Sequence, residues 1–314
     1  MKLSGFDRVE FSAIEWHAYD LIILASGFEE RSTHILSSIP KEMADRVLVL
    51  GFWGDREQLS RRRNDDCFQS FGSTPFLSPS PLEYDNILKE RLWQTRLSIH
   101  DSLPMRVFVD YSVMTRSWYA YILTWLKYSS APGSAEIDFA YSHGKYSGAF
   151  EPLRIQEIIA IPGFEGACVG ARNTVAAFGL GFDRCAVLAV YEQIEPDSLF
   201  CFLAQERPGD EKADRAAEEN KEIISIAGGE KIFVPLGNLR EIYRILFEEF
   251  SRQDPDCEIV AVPMGPKPHV LACLLVAQAI PRTTCLHARG YRHTPVQVLA
   301  TGVVSIWRLR YGPQ

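Results

Sequence analysis

Residues 19–26 read Tyr-Asp-Leu-Ile-Ile-Leu-Ala-Ser, and Gly27-Phe28-Glu29-Glu30-Arg31-Ser32 follows directly. An uninterrupted apolar run ending in a small residue and a glycine is the pattern of a strand buried on both faces, as in parallel sheets. Outward from it the chain alternates. A helix is expected over 29–38, a second buried strand over 46–52 (Arg-Val-Leu-Val-Leu-Gly-Phe) and a helix over 58–71. A proline-broken extended piece over 74–81 leads into a long amphipathic helix over 81–102, with Leu82, Ile87, Leu88, Leu92 and Leu97 near helical spacing. A strand over 106–111, a helix over 117–129 and a strand over 135–141 complete the series. This rhythm specifies an α/β fold with a doubly wound, mostly parallel sheet.

The second half repeats the order. Residues 185–191 and 199–204 read as strands, 210–227 as a charged helix, 231–236 as a strand and 238–252 as a helix. A strand over 258–263, a helix over 267–280 and a strand over 283–288 follow. From the strand at Arg46 to that at Arg106 is 60 positions, and from Leu199 to Glu258 it is 59. The reading is two tandem Rossmann-like units, 1–165 and 174–314, joined near 163–173 and related by an internal duplication. Standard element lengths give unrelated α/β units similar spacing, so spacing alone leaves coincidence open. The second unit is expected to lack a helix between its first two strands, because 192–198 is too short for one.

Composition bounds the function. The chain has 314 residues, 46% hydrophobic and 23% charged, which suits a globular protein and excludes a disordered one. A net charge of −7 excludes a general polyanion binder while leaving room for a local basic pocket. The longest strongly apolar stretch, 270–280, is well short of the ~20 residues that span a bilayer. Residues 1–18 carry acids and no apolar core, so neither a membrane span nor an export signal is expected. The seven cysteines are odd in number, and Cys185, Cys201 and Cys273 lie in apolar runs. A reducing, cytoplasmic location follows as the expectation.

In open α/β sheets ligands bind beyond the carboxyl ends of the strands, and three such ends are chemically loaded. At the first, Ser26 and Gly27 open a tight turn suited to an anion or a hydroxyl-rich ligand. Glu29, Glu30 and Arg31 there suit a general acid–base carboxylate held by a guanidinium, or a ribose contact. The same acids also serve an ordinary helix start by complementing its dipole. The second end is Asp110-Tyr111-Ser112-Val113-Met114-Thr115-Arg116. A buried Asp110 needs a partner, with Arg116 or a loop amide the natural candidates. Ser112, Thr115 and Arg116 then offer two hydroxyls and a guanidinium to a phosphate or a base edge. The third is Pro263-Met264-Gly265-Pro266-Lys267-Pro268-His269, where Lys267 stands as Arg116 does in the first half. Gly265, Lys267 and His269 are its ligand-binding candidates. Neither GxGxxG nor GxxxxGK[ST] spacing is present. Two cations at equivalent strand ends suit a ligand with several phosphates, or a short oligonucleotide, held between the halves.

A strand ending in Asp-x-Ser, then a loop, a basic residue and a helix resembles the ligand loop of CRISPR-associated Rossmann-fold (CARF-like) sensor domains, which bind cyclic oligoadenylates. The resemblance covers Asp110, Ser112 and Arg116, and more loosely Gly265 and Lys267. That family usually has Gly before the basic residue, whereas Thr115 and Pro266 stand here. Its members pair two chains, whereas this chain would pair two halves. The resemblance implies a nucleotide-like ligand and a role in antiviral defence signalling. The Toll/interleukin-receptor fold is set aside, because no acid follows Trp118 at 119–123.

Other features read as structural. Cys285, His287 and His293 lack a fourth zinc ligand, so no metal is assigned. Arg61-Arg62-Arg63, followed by Asp65 and Asp66, reads as a solvated helix face. The alternating charges of 210–227 suit an exposed helix or a protein-partner surface. Trp118 lies close enough to its loop to stack on a base, and His143, Tyr146, Tyr291 and His293 lie past sheet ends. No cofactor class is marked. The leading expectation is a nucleotide- or phosphate-ligand sensor or regulatory protein. The alternatives are a nucleotide or nucleoside hydrolase using Glu29 or Glu30, and a scaffold subunit of a larger complex.

Overall fold

A computed structural model describes residues 1–54, 56–129, 133–147, 151–168, 170, 173–292 and 294–312. Its strands form two six-stranded sheets. The first contains β1 (Lys2–Val9), β2 (Leu21–Ser26), β3 (Val47–Gly51), β4 (Met105–Asp110) and β5 (Ala135–Ser147). Helices α1 (Arg61–Phe71), α2 (Pro81–Leu97) and α3 (Arg116–Tyr128) connect them. The second sheet contains β6 (Arg154–Ala160), β7 (Asn173–Leu180), β8 (Ser198–Ala204), β9 (Lys231–Val234), β10 (Cys257–Pro263) and β11 (Thr283–Tyr291). Helices α4 (Arg184–Ile194), α5 (Glu211–Glu219), α6 (Lys221–Ile226), α7 (Leu239–Arg252) and α8 (Lys267–Ala279) interleave with these strands. The last strand, β12 (Gln297–Gly312), returns to the first sheet.

The sheet orders are β1-β12-β5-β4-β2-β3 and β6-β11-β10-β7-β8-β9. In both, a parallel core is flanked by one antiparallel strand, β12 against β5 and β6 against β11. β9 also has its counterpart, since Phe76 bridges Leu50 in parallel beside β3. The chain is thus an α/β protein of two Rossmann-like units whose strand orders match apart from β1, which pairs antiparallel with β12 and has no counterpart in the second sheet. The buried runs explain the cores: every residue of β2 and β3 is buried, and Phe108, Ile22, Leu24 and Val49 pack in one cluster.

The units are drawn differently from the sequence-based division at 165 and 174. The first comprises Met1–Ala149 with Pro295–Gln314, and the second Phe150–Thr294. The strand following β5 in the chain, β6, pairs in the second sheet, whereas the strand following β11, β12, pairs in the first. Each unit therefore takes its antiparallel strand from the segment after the other unit's last parallel strand. The linker expected at 163–173 falls inside the second unit.

Three further expectations are corrected. Residues 185–191 belong to helix α4, because a short apolar run fits a half-buried helix as well as a strand. The second unit's first parallel strand is β7, Asn-Thr-Val-Ala-Ala-Phe-Gly-Leu, whose small residues give a weak strand signal. The helix thought missing between the first two strands of that unit is α4. Residues 30–33 and 36–38 form 3₁₀ turns instead of one helix over 29–38. There the Ser32 hydroxyl donates to Ala25 O and accepts from Gly27 N, local bonds that compete with a regular helix.

Asp138 on β5 is fully buried and accepts two 2.8 Å bonds from the Arg308 guanidinium of β12, plus one from the Tyr19 hydroxyl. Burial and then the neighbouring carboxylate hold the Tyr19 hydroxyl far above its ordinary pKa, so it remains a donor. Removing one partner of a buried pair leaves the other charge stranded and costs about 3–5 kcal/mol. Asp138→Ala should cost about 3 kcal/mol or more of stability in urea unfolding, because Arg308 is partly exposed and recovers some hydration. A cost below about 1 kcal/mol would show that the pair does not hold β12.

Candidate ligand site at the strand ends

In the first sheet the chain turns one way from β2 to β3 and the other way to β4, so the order reverses at β2 and β4. The crevice beyond the carboxyl ends at such a reversal is where open α/β sheets take ligands. Gly27 follows the end of β2 and Asp110 ends β4, and Val113 of the β4 loop packs on Gly27 between them.

At the β4 end, the Asp110 carboxylate accepts from Ser112 N at 3.0 Å and Ser112 Oγ at 2.5 Å. The loop amide is therefore one partner of this buried acid. Ser112 Oγ also accepts from Ser142 N at 2.7 Å, tying the loop to β5. Asp110 is 2% and Ser112 0% exposed, so both brace the loop and neither presents its side chain to solvent. Thr115 is the N-cap of α3, its hydroxyl 2.8 Å from Ser117 Oγ. Arg116 is the first residue of α3 and half-buried.

At the β2 end, Ser26 Oγ donates to Asp65 at 2.5 Å. Arg31 is 3% exposed and donates to Glu29 at 2.6 Å and to Ser142 O at 2.8 Å, with its guanidinium over the Tyr141 ring. Burial opposes the Arg31 charge, but Glu29 and Tyr141 outweigh it and raise the pKa above the ordinary guanidinium value. Arg31 is a brace holding Glu29, while Glu30 stays exposed at the turn. Ser142 thus receives both arms: Arg31 at its carbonyl and Ser112 at its amide.

Several of these braces escape sequence reading. Asn64 of α1 donates to Gly27 O at 2.8 Å and Glu29 O at 2.9 Å. Arg61, expected on a solvated face, is 1% exposed; it pairs with Asp65 and donates to Phe52 O at 2.7 Å. Only Arg62 and Arg63 of that run are exposed. A matching device occurs in the second unit, where Asn220 donates to Gly181 O at 2.7 Å. The repeated signal is Gly27-Phe28-Glu29 after β2 and Gly181-Phe182-Asp183 after β7. The sequence conceals this repeat because β7, rich in small residues, carries a weaker strand signal than the apolar run at 185–191 in α4.

The third strand end is built otherwise. Lys267 is the first residue of α8, as Arg116 is of α3. A Cβ on Gly265 would lie 3.0 Å from Leu180 O, and one on Gly181 would lie 2.8 Å from Met264 O. The approach that Gly265 permits is therefore to the β7 turn of its own unit. In the first unit the same place is edged by the side chains of Phe52 and Val113 beside Gly27. His269 is fully buried, with Nε2 donating to Pro235 O at 2.9 Å and its ring against Phe202. Trp118 is likewise core, stacked on Tyr84 and against Phe52.

His143 Nε2 meets Ser305 Oγ at 2.7 Å, while Tyr146 and Tyr291 are exposed. His293 lies outside the described residues. Cys285 is fully buried on β11, and among the described residues no group of three or more His, Cys, Asp and Glu is placed to hold a metal. No described helix is long and apolar enough to cross a membrane. The charged segment 210–227 is two helices broken at Asn220, with exposed pairs Arg215–Glu219, Lys221–Glu218 and Arg184–Glu222. No protein-family model matches the chain, and no curated protein matches it.

Two outcomes follow from these placements. Asn64→Ala removes the side-chain donor from Gly27 O and one of two donors from Glu29 O, which keeps Ser32 N, and should cost about 1–3 kcal/mol in chemical unfolding; no loss would mean that the turn holds itself. Burial lowers the His269 pKa to about 4, outweighing the Pro235 carbonyl. The folded value lies below that of the unfolded chain, about 6.5, so the unfolded state protonates first on acidification. The contribution of neutral His269 is complete above pH ~6.5 and fades towards pH ~4, totalling about 3 kcal/mol. His269→Gln should flatten the stability–pH curve in that window relative to the parent; superimposable slopes would contradict this.

Proposed function

We propose that this protein is a nucleotide- or phosphate-ligand-binding sensor or regulatory protein, with its ligand at the carboxyl ends of β2 and β4 in the first unit. The observation that carries the reading is the pair of braced loops at the strand-order reversal. Asp110, Ser112 and Ser142 fix the β4 loop, Asn64 and Arg31 fix the β2 turn, and Arg116 begins the helix beyond. A guanidinium at a helix start adds a directional donor to the helix's partial positive charge, which suits a phosphate. Lys267 offers a second cation at the corresponding place in the other unit. The resemblance of Asp110, Ser112 and Arg116 to CARF-like ligand loops adds the further reading that the response belongs to antiviral defence.

Thermal unfolding against mono-, di- and triphosphates, NAD, cyclic nucleotides and short single-stranded DNA and RNA tests the proposal. A ligand at a hundred times its Kd adds about 2.7 kcal/mol, a shift of roughly 5–10 °C in the unit that binds it. We expect a selective shift that disappears in Arg116→Ala. Loss in Lys267→Ala as well would bring the second unit into binding. A flat panel, or a shift indifferent to both substitutions, would refute the site.

A further inference from the structure

The loop after β3 reads Phe52-Trp53-Gly54-Asp55-Arg56-Glu57-Gln58-Leu59-Ser60. Trp53 is 52% exposed, although half a bare indole in water is a cost that burial would remove. The Arg56 guanidinium lies over its ring, 5.2 Å from the centroid. The backbone on either side is tied down: buried Arg61 donates to Phe52 O at 2.7 Å and more weakly to Gly54 O at 3.4 Å. Its second terminal nitrogen is enclosed without a hydrogen-bond partner among the described residues, itself a cost. Arg61 in turn grips Asp65, and Asp65 accepts from Ser26 at the end of β2. The other end of the loop is fixed where Ser60 N donates to Phe28 O at 3.1 Å and Gln297 donates to Ser60 Oγ at 2.8 Å. An exposed aromatic is therefore held beside the Gly27 turn by a buried charge network, while Phe52 and the buried Trp118 pack against each other.

We propose that Trp53, with Arg56 beside it, is the stacking platform for the base of a nucleotide whose phosphates lie at the β2 and β4 strand ends. This rests on the phosphate-ligand reading above and narrows it. A phosphate needs only cations and amides, whereas a rigidly presented indole recognises a planar ring. Arg61 is a positioning residue that sets the platform and does not touch the ligand.

The test is isothermal titration of the full chain with ATP, GTP, a single-stranded RNA tetramer and, as the base-free control, inorganic tripolyphosphate. Base stacking should make at least one of the nucleotide ligands bind roughly ten- to a hundredfold more tightly than tripolyphosphate. Trp53→Ala should remove that preference and Trp53→Phe should keep most of it, with both melting as the parent does because the side chain is exposed. Arg116→Ala should weaken nucleotide and tripolyphosphate alike. Nucleotide binding that is unchanged in Trp53→Ala but weakened in Arg116→Ala would overturn the platform and leave the phosphate site standing. Equal affinity of the parent for tripolyphosphate and every nucleotide would do the same. No binding of any of the four by the parent would overturn both.

Discussion

The Arg308 guanidinium donates to both oxygens of the buried Asp138 carboxylate, and that contact fixes the register of β12 on β5. Much of the strand-end site hangs from this pairing. Gln297, the first residue of β12, accepts from Glu30 N at 3.0 Å and donates to Ser60 Oγ, so it holds the β2 turn and the β3 loop together. Further along the same pairing, Ser142 of β5 stands opposite Val304 of β12, accepts from Arg31 at its carbonyl and donates its amide to Ser112. A strand arriving from the far side of the second unit's sequence therefore completes the site of the first.

The site's polar groups divide by what they do. Asp110, Ser112, Arg31, Asn64 and Arg61 are buried and spent on one another or on backbone carbonyls. Such a network fixes loop shape instead of offering contacts, although a terminal nitrogen of Arg61 has no hydrogen-bond partner among the described residues. The groups nearer solvent are Glu30, Arg56, Trp53 and, half-buried, Arg116. In the second unit the Gly181 and Gly265 loops meet backbone to backbone at the corresponding place. In the first unit Val113 of the β4 loop packs on Gly27 there, so what singles that unit out is half-buried Arg116 together with the exposed Trp53 and Arg56.

The parallel cores were legible because β2, β3, β4 and β10 are continuous apolar runs, a pattern that burial on both faces imposes. The antiparallel strands β1, β6 and β12 were not, because each has a wet face and mixes charged with apolar residues, and their pairing is set by distant sequence. The exchange of β6 and β12 between sheets leaves no local trace at all. At the candidate site, Asp110 stands at the end of β4, Ser112 in the loop and Arg116 at the start of α3, positions that strand-end reading alone supplies. Burial was the invisible variable. It turned Arg31 and His269 into internal supports, and made Arg61 a clamp although its neighbours in the same basic run are solvated.

Hydrogen–deuterium exchange of the full chain, with and without millimolar ATP, tests the central claim most directly, since exchange reports local opening residue by residue. The account predicts slowed exchange at the amides of 27–31 and 112–116, the two braced loops of the first unit. Protection confined to other parts of the chain, or none anywhere, would contradict it.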